Sequence, residues 1–208
     1  MRFAVIGAGG HSKEVVDLLA ACGHETVGFV DEGYTGVHAT TGLPVVADLS
    51  ALSYEAIVLA IGDNGARSTW YERASVLAPT PMLVHPTAVV SPSARLGEAV
   101  QVMQNVVVNA SAIVAEDCIL NVACSLAHDC VLGAHTHIAP GARMGGGSSV
   151  GPGSLIGTNA TVMPGVHVGR GCTVGAGAVV VRDMPDGTTG VGVPARPISA
   201  RDSGGRDE

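Results

Sequence analysis

The chain has 208 residues, enough for one large domain or two small ones, and its formal net charge at pH 7 is −7. No block rich in lysine and arginine occurs, which argues against a nucleic-acid partner and against binding to an anionic membrane surface. Apolar runs are too short for a membrane span or a signal-peptide core. We therefore expect a cytoplasmic protein with small-molecule partners and no membrane insertion.

The first eighty residues alternate between strand and helix patterns. Residues 2–7 predict a short buried strand, and the glycine loop at residues 7–12 leads into an apolar-periodic helix. Because a helix N-terminus presents unpaired N–H groups, such a loop lets a phosphate approach the backbone. A second strand, residues 26–30, ends at Asp31 and Glu32, where a carboxylate could accept hydrogen bonds from a ribose or a base.

A third strand is predicted at residues 56–61, and a helix from residue 66 to the Pro79-Thr80-Pro81 segment. Three or four strands make half of a doubly wound dinucleotide fold, and Ser12 stands where the full fingerprint has a third glycine. This half-Rossmann-like α/β domain, residues 1–81, therefore favours a mononucleotide or a nucleotide sugar over NAD. A small α/β cap that binds no ligand is the alternative.

An aliphatic residue recurs at every sixth position from Val84 to Val180, through seventeen consecutive hexads. This period is the signature of a hexapeptide-repeat solenoid, in which three hexads form one triangular coil. Pro-Gly pairs recur at one hexad position, which suits type II turns at the corners. We expect an all-β solenoid domain at residues 82–198, followed by a disordered tail at residues 199–208.

Four of the five cysteines stand at one hexad position, four residues after the aliphatic one: Cys118, Cys124, Cys130 and Cys172. The same position otherwise holds valine, alanine, threonine or serine. We interpret these thiols as small core residues rather than as disulfide partners or metal ligands.

The titratable groups of the solenoid concentrate in one coil, where His128, Asp129, His135 and His137 interrupt a pattern of small residues. None of the four stands at an interior position, so we expect them on the outer surface. His128 and His137 are half a coil apart and thus on opposite sides of one prism. They can share a pocket only if a second copy of the chain completes it. Solvated histidines without function, or a three-histidine zinc site between subunits, are the alternatives.

Together the two halves resemble one family, the bacterial sugar acetyltransferases with an N-terminal nucleotide-binding α/β domain and a C-terminal left-handed parallel β-helix. The handedness comes from this resemblance and not from the period. The family includes N-acetyltransferases of UDP- or GDP-linked 4-amino-4,6-dideoxysugars and the sialic acid O-acetyltransferase group. The resemblance is carried by residues 7–13 (GAGGHSK), 29–32 (FVDE), 59–67 (LAIGDNGAR), His85-Pro86, Asn121, 127–130 (AHDC), His137 and 192–195 (GVPA).

The resemblance implies acetyl-CoA as the cosubstrate, a homotrimer with intersubunit active sites, and no metal. His128 matches the general base, and Asp129 matches the acidic residue that supports it, which is a glutamate in many relatives. Residues expected to bind acetyl-CoA are His137, Gly146, Thr158 and Ala176. Residues expected to bind the nucleotide sugar are Gly10, His11, Ser12, Asp31, Glu32, Asn64, Arg67 and Asn121.

The expected function is transfer of an acetyl group from acetyl-CoA to the amine of a nucleotide-linked 4-amino-4,6-dideoxyhexose. The amine attacks the thioester directly, with His128 as the base. Two alternatives stay open at this point: O-acetylation of a sugar hydroxyl such as that of sialic acid, and a non-catalytic trimer that binds a nucleotide sugar. Composition distinguishes neither an amine from a hydroxyl acceptor nor uridine from guanosine.

Overall fold

The computed structural model describes residues 1–198, an α/β domain followed by a triangular β-helix. The predicted disordered tail, residues 199–208, lies outside the described residues. Within residues 1–198, no helix is both long and apolar enough to cross a membrane.

The α/β domain is one five-stranded sheet in the order β3-β4-β2-β1-β5. Its elements are β1 (Arg2–Ile6), α1 (Gly10–Ala21), β2 (Glu25–Val30), β3 (Gly36–Val37), β4 (Pro44–Val46), a 3₁₀ turn (Leu49–Ala51), β5 (Ala56–Leu59) and α2 (Asn64–Ala74). Strand β1 pairs in parallel with β2 on one side and β5 on the other. The chain order thus reverses at β1, and ligands of open α/β sheets bind outside the carboxyl ends of the strands at such a point.

Two details of this domain differ from the sequence prediction. The sheet has five strands instead of three or four, because β3 and β4 are too short to show a period and form a small antiparallel hairpin. Helix α2 starts at Asn64, since the Asp63 carboxylate accepts a hydrogen bond from the Ala66 N–H at 2.8 Å and caps its first turn. The helix ends at Ala74, before the predicted proline segment.

The β-helix has one two-residue strand in every hexad. In chain order these are β6 (Leu83–Val84), β7 (Val89–Val90), β8 (Arg95–Leu96), β9 (Gln101–Val102), β10 (Val107–Val108), β11 (Ile113–Val114), β12 (Ile119–Leu120), β13 (Ser125–Leu126), β14 (Val131–Leu132), β15 (His137–Ile138), β16 (Arg143–Met144), β17 (Ser149–Val150), β18 (Leu155–Ile156), β19 (Thr161–Val162), β20 (His167–Val168), β21 (Thr173–Val174) and β22 (Val179–Val180). Strands β23 (Thr189–Val191) and β24 (Arg196–Pro197) follow them.

Every third strand belongs to the same parallel sheet, so the solenoid is a prism with three faces. The first sheet contains β6, β9, β12, β15, β18 and β21 and is extended by β23 and β24. The second runs from β7 to β22, and the third from β8 to β20. From β6 to β22, a residue of each sheet pairs with the one 18 positions further on, as Ser125 does with Arg143. This register confirms three hexads per coil.

The interior of the prism is filled by the two hexad positions predicted from the sequence. The aliphatic positions from Val102 to Val180 are almost fully buried, and so are the four solenoid cysteines. Burial raises the pKa of Cys118 and of Cys124 to about 12. Because the thiolate is the reactive form of cysteine, these residues act as small core side chains, as expected.

The corners are turns whose second residue has a positive φ. Gly141, Gly153 and Gly165 each follow a proline and have φ of 69°, 71° and 71°, which confirms the predicted type II turns. Asp129 and His135 stand at the same hexad position with φ of 60°. Their unfavourable backbone conformation is held by the coil stack, since each N–H donates to a carbonyl of the preceding coil.

A buried ion pair anchors the α/β domain to the solenoid at the corner before β12. Arg67 has no exposed surface, and its Nε lies 3.2 Å from Oδ2 of Asp117, which is 1% exposed. The same carboxylate oxygen lies 2.8 Å from Nδ1 of His135. Burial raises the pKa of Asp117, and the adjacent Arg67 guanidinium partly opposes this rise. The cluster joins α2 to the solenoid at a fixed position.

Candidate active site

His128 and Asp129 form a hydrogen-bonded pair at the corner between the second and third sheets. Nδ1 of His128 lies 2.7 Å from Oδ2 of Asp129. Because an ionised carboxylate only accepts hydrogen bonds, Nδ1 carries the proton and Nε2 is left as the acceptor. The side chains are 70% and 63% exposed, so the pair is open to an incoming ligand.

Gly146 lies one coil above His128 at the same corner. A Cβ added to Gly146 would stand 2.6 Å from Nε2 of His128, so the imidazole occupies the space that a side chain would need. The same hexad position holds proline at 140, 152 and 164, which indicates that its N–H is not needed by the coil stack. Among residues 1–198, the Gly146 N–H makes no hydrogen bond. Gly146, whose N–H has no partner among these residues, therefore packs directly against the imidazole.

His137 lies on the first sheet, where the α/β domain covers it. The Asn121 side-chain amide donates to Nε2 of His137 at 3.2 Å, and the His11 ring lies 6.4 Å away between centroids. Burial, with the nearby charges of Arg67 and His11, lowers the pKa of His137 to about 4. His137 is therefore neutral, and within one chain it faces the glycine loop and not His128.

The carboxyl ends of β1, β2 and β5 border a cleft of about 190 Å³. Asp31 shapes it, since one carboxylate oxygen accepts from the Ala8 N–H and the other from the Gly33 N–H, both at 2.9 Å. Glu32 lies at the rim and pairs with Arg73 at 3.4 Å, and Trp70 forms part of the wall. Gly10, at the start of α1, is exposed.

Three of the residues expected to bind the nucleotide have other partners. Arg67 is buried in the ion pair with Asp117 and has no surface left for a ligand, which corrects its predicted role. Ser12 is also fully buried, and its hydroxyl lies against the Gly9 carbonyl and His38. The half-buried Asn64 donates to the carbonyls of Gly153 and Ser154 in the solenoid. Each of these side chains fixes local or interdomain structure.

The remaining predicted cofactor residues lie at a different corner from His128. Thr158 and Ala176 are exposed and stack one coil apart where the first and second sheets meet. The width of the second sheet separates them from Gly146. One chain alone therefore brings together His128, Asp129 and Gly146 on one side, and His11, Asn121 and His137 on another.

The three clustered histidines of the sequence have three different surroundings. His128 is exposed at a corner, His135 pairs with Asp117, and His137 packs below the α/β domain. All three stand on the outer side of the solenoid, and the docked α/β domain covers His135 and His137 there. In the described part of the chain, no three His, Cys, Asp or Glu side chains are grouped so that they could hold a metal ion.

The sequence analysis did not identify Asp117 and His38, two buried residues with defined hydrogen-bond partners. Asp117 occupies the same turn position as Asp129, so its place in the repeat was a usable signal. His38 lies in the β3–β4 hairpin, which shows no pattern of its own.

Comparisons with known proteins match both halves of the chain. The PglD N-terminal domain family matches residues 2–74, and the bacterial transferase hexapeptide family (six repeats) matches residues 147–182. No curated protein sequence matches significantly.

Several solved structures are similar over nearly the whole length. A mutant of perosamine N-acetyltransferase from Caulobacter crescentus, in complex with CoA and GDP-perosamine, is 40% identical with a TM-score of 0.91, covering 96% of this chain and 97% of that one. The acetyltransferase domain of PglB from Neisseria gonorrhoeae, in complex with acetyl coenzyme A, is 42% identical with a TM-score of 0.89, covering 95% and 98%. WeeI from Acinetobacter baumannii is 26% identical with a TM-score of 0.86, covering 95% and 100%.

The prism of hexapeptide coils, with a histidine–carboxylate pair packed against Gly146, defines an acyltransferase of the hexapeptide-repeat class. The similarity extends beyond the solenoid to the α/β domain and its glycine loop. The chain belongs to the left-handed β-helix sugar N-acetyltransferases that use acetyl-CoA, which confirms the family predicted from the sequence.

Proposed function

We propose that this protein transfers the acetyl group of acetyl-CoA to the amine of a nucleotide-linked 4-amino-4,6-dideoxyhexose, with His128 as the general base. The observation that carries this proposal is the arrangement at one corner: the His128–Asp129 pair, with Nε2 packed directly against Gly146. The GDP-perosamine and CoA in the complex from Caulobacter crescentus support this choice of substrate class.

His128 has the geometry of a base whose tautomer is fixed. Asp129 holds the Nδ1 proton, so Nε2 can accept the proton that the amine loses as it attacks. The carboxylate also stabilises the imidazolium that forms, as in a catalytic triad that lacks the serine. A base of this kind contributes about 10²–10⁴-fold to the rate.

The Gly146 N–H suits the oxyanion that develops on the thioester carbonyl. In the reaction the amine nitrogen forms a bond to the carbonyl carbon, and a tetrahedral species with a negative oxygen results. The carbon–sulfur bond then breaks, CoA leaves as the thiol after it takes a proton from the imidazolium, and the amide product remains. Backbone donors at such a position commonly supply a large part of the stabilisation.

The complete site lies between subunits of a homotrimer in this proposal. Two arguments support it. The paired side chains of His128 and Asp129 are largely exposed in one chain, and Thr158 and Ala176 stand at the other edge of the second sheet. A second copy that places its Thr158 corner opposite the His128 corner of the first would unite the two sets. It would also bring a neighbouring nucleotide cleft towards His128.

The nucleotide half of the substrate is assigned to the crevice at the carboxyl ends of β1, β2 and β5. Gly10 at the start of α1 offers N–H groups to the phosphates, and Asp31 and Glu32 lie where the ribose or base would bind. His11 at the start of α1 lies beside His137 of the solenoid, and Asn121 contacts the same imidazole. We assign these three to the sugar.

The test is thiol release from acetyl-CoA with GDP- and UDP-linked 4-amino-4,6-dideoxyhexoses, with the acetylated amine identified by mass spectrometry. We expect turnover with the amines and none with the matching 4-hydroxy sugars. His128→Ala should lower kcat by at least about 10²-fold, while the melting-temperature rise caused by the nucleotide sugar persists.

His167→Ala is the matched control, since His167 is an exposed histidine of the same prism that lies on the third sheet. It should keep wild-type turnover. Near-native turnover of His128→Ala would remove the proposed base. A wild-type protein that is stabilised by the sugars but releases no thiol would instead be a binding scaffold.

A further inference from the structure

A buried chain of hydrogen bonds runs from the β3–β4 hairpin to the glycine loop. His38 is 3% exposed and stacks on Phe29, with ring centroids 4.0 Å apart. Its Nε2 lies 3.0 Å from Oγ of the fully buried Ser12, and its Nδ1 lies 3.1 Å from Oγ1 of Thr41. Nothing in the reaction proposed above uses these groups.

The number of protons that each group carries determines which group donates in each of these hydrogen bonds. The Ser12 hydroxyl lies 2.6 Å from the Gly9 carbonyl, which only accepts, so its single proton points there. The hydroxyl oxygen must then accept from Nε2–H of His38. Burial lowers the pKa of His38 and favours the neutral ring, so Nδ1 carries no proton and accepts from the Thr41 hydroxyl. The Thr41 oxygen in turn accepts from the Leu43 N–H at 3.3 Å. His38 is thus a neutral histidine with one defined tautomer.

The hydrogen bonds end at Gly9, the residue immediately before helix α1. Gly9 occupies the N-cap position, where no side chain caps the helix, and its carbonyl also receives the Ser12 N–H at 3.2 Å. The first N–H groups of a helix have no intrahelical acceptor. Gly9 and Gly10 are exposed, with open space beside both Cα atoms. Fixing the Gly9 carbonyl therefore fixes the direction of the backbone at the start of α1.

We propose that His38 is a positioning residue for nucleotide-sugar binding: through Ser12 it holds the Gly9 carbonyl so that the N-terminus of α1 faces the phosphates. His38 does not touch the substrate, and it acts through the loop. The inference rests on the proposed nucleotide site. It also gives the short β3–β4 hairpin a function, because the hairpin carries both His38 and Thr41.

The test compares His38→Leu and His38→Gln with the wild-type protein. Leucine fills the space but donates nothing, whereas the glutamine amide can donate to Ser12. Because one neutral hydrogen bond is removed, we expect His38→Leu to raise KM for the nucleotide sugar about 5- to 10-fold. Neither kcat nor KM for acetyl-CoA should change, and His38→Gln should recover at least half of the lost affinity on a logarithmic scale.

His24→Leu is the matched control, since His24 also packs on a phenylalanine of the sheet, at 5.1 Å from Phe3, without contacting the glycine loop. It should leave KM unchanged. Ser12→Ala should raise KM as much as His38→Leu does, and the double variant no further, because both remove the same connection. Additive effects, or a His38→Leu protein with a lower melting temperature and an unchanged KM, would overturn the inference.

Titration with free GDP and UDP separates this inference from the proposed reaction. If the wild-type protein shows no turnover but binds one of them, the ratio of dissociation constants between wild type and His38→Leu still decides the role of His38. If the wild-type protein binds neither nucleotide, the positioning role falls as well.

Discussion

A single methyl group at Gly146 tests the geometry of the candidate active site. The φ of Gly146 is not in the left-handed region, so its backbone accepts alanine. The new Cβ would stand 2.6 Å from Nε2 and 2.8 Å from Cε1 of His128. Because the His128 side chain is 70% exposed, the imidazole can swing away without disturbing the coil. Gly146→Ala should therefore change the site while leaving the fold intact.

The size of the effect follows from this contact. Moving Nε2 from 2.6 Å to the 3.4 Å of an ordinary contact requires a shift of about 0.8 Å. A misplacement of about 1 Å in a reacting group can cost about 10²-fold, similar to the smaller contribution expected of a general base. We expect kcat/KM to fall about 10²-fold, which corresponds to about 2.7 kcal/mol in the activation free energy. The melting temperature should stay equal or rise slightly, since alanine restricts the unfolded chain.

The neighbouring glycine provides the control. A Cβ on Gly145 would stand 2.5 Å from the backbone nitrogen of Pro164 in the next coil, and this atom cannot move aside. Gly145→Ala should destabilise the protein by about 1–3 kcal/mol or more. For a chain of this size, each kcal/mol lowers the melting temperature by about 2–4 °C. One alanine should thus impair mainly catalysis and its neighbour mainly stability.

The two variants should be compared by steady-state thiol release and by thermal unfolding followed by circular dichroism. These measurements separate a loss of catalysis from a loss of stability. Wild-type turnover by Gly146→Ala would show that the His128–Gly146 contact is not part of the reacting centre. A fall in melting temperature as large as that of Gly145→Ala would show that the imidazole is held in place, which refutes the assumption that it swings freely.

Two further predictions concern the interface between the domains. Asp117→Ala leaves the buried Arg67 guanidinium unpaired and should lower the free energy of unfolding by about 3–5 kcal/mol, measured by urea titration. The double variant Arg67→Met with Asp117→Leu removes both charges and should lose less. Equal losses in the two variants would mean that Arg67 and Asp117 are not coupled. Folding lowers the pKa of His137 from 6.5 to about 4, so the stability from its neutral form is present above pH 6.5 and is lost as the pH falls towards 4. Urea titrations at several pH values should show that the free energy of unfolding falls by up to about 3 kcal/mol between pH 6.5 and 4. His137→Gln should abolish this fall. If the variant keeps the same dependence on pH, the fall comes from other titratable groups.

The solenoid could be predicted almost completely, because its rules are local. An aliphatic residue every sixth position, a small residue four later and Pro-Gly at the corners specify the coil. The four solenoid cysteines lie where this pattern puts them. His128 and Asp129 were also recognisable, since two titratable side chains at a turn position break a run of small residues.

The sequence misled where a side chain has a distant partner. Arg67 follows a glycine-containing loop, as a phosphate-binding arginine would, but it pairs with Asp117, 50 residues further along the chain. His137 has an outward position in its strand, and only the docked α/β domain makes it neutral and half-buried. A period describes one element at a time and contains no information on which surfaces meet.

The amino-acid sequence by itself therefore determined the prism, its corners and the residues that interrupt its repeat, because each coil pairs with the next through a register of 18 residues that the hexads dictate. The tertiary structure alone decided which of these residues share surroundings. Docking of the α/β domain places His11 beside His137 and buries the Arg67–Asp117 pair, since contacts between distant segments depend on the shape of both surfaces. The packing of Gly146 against the His128 imidazole likewise exists only once two coils are stacked.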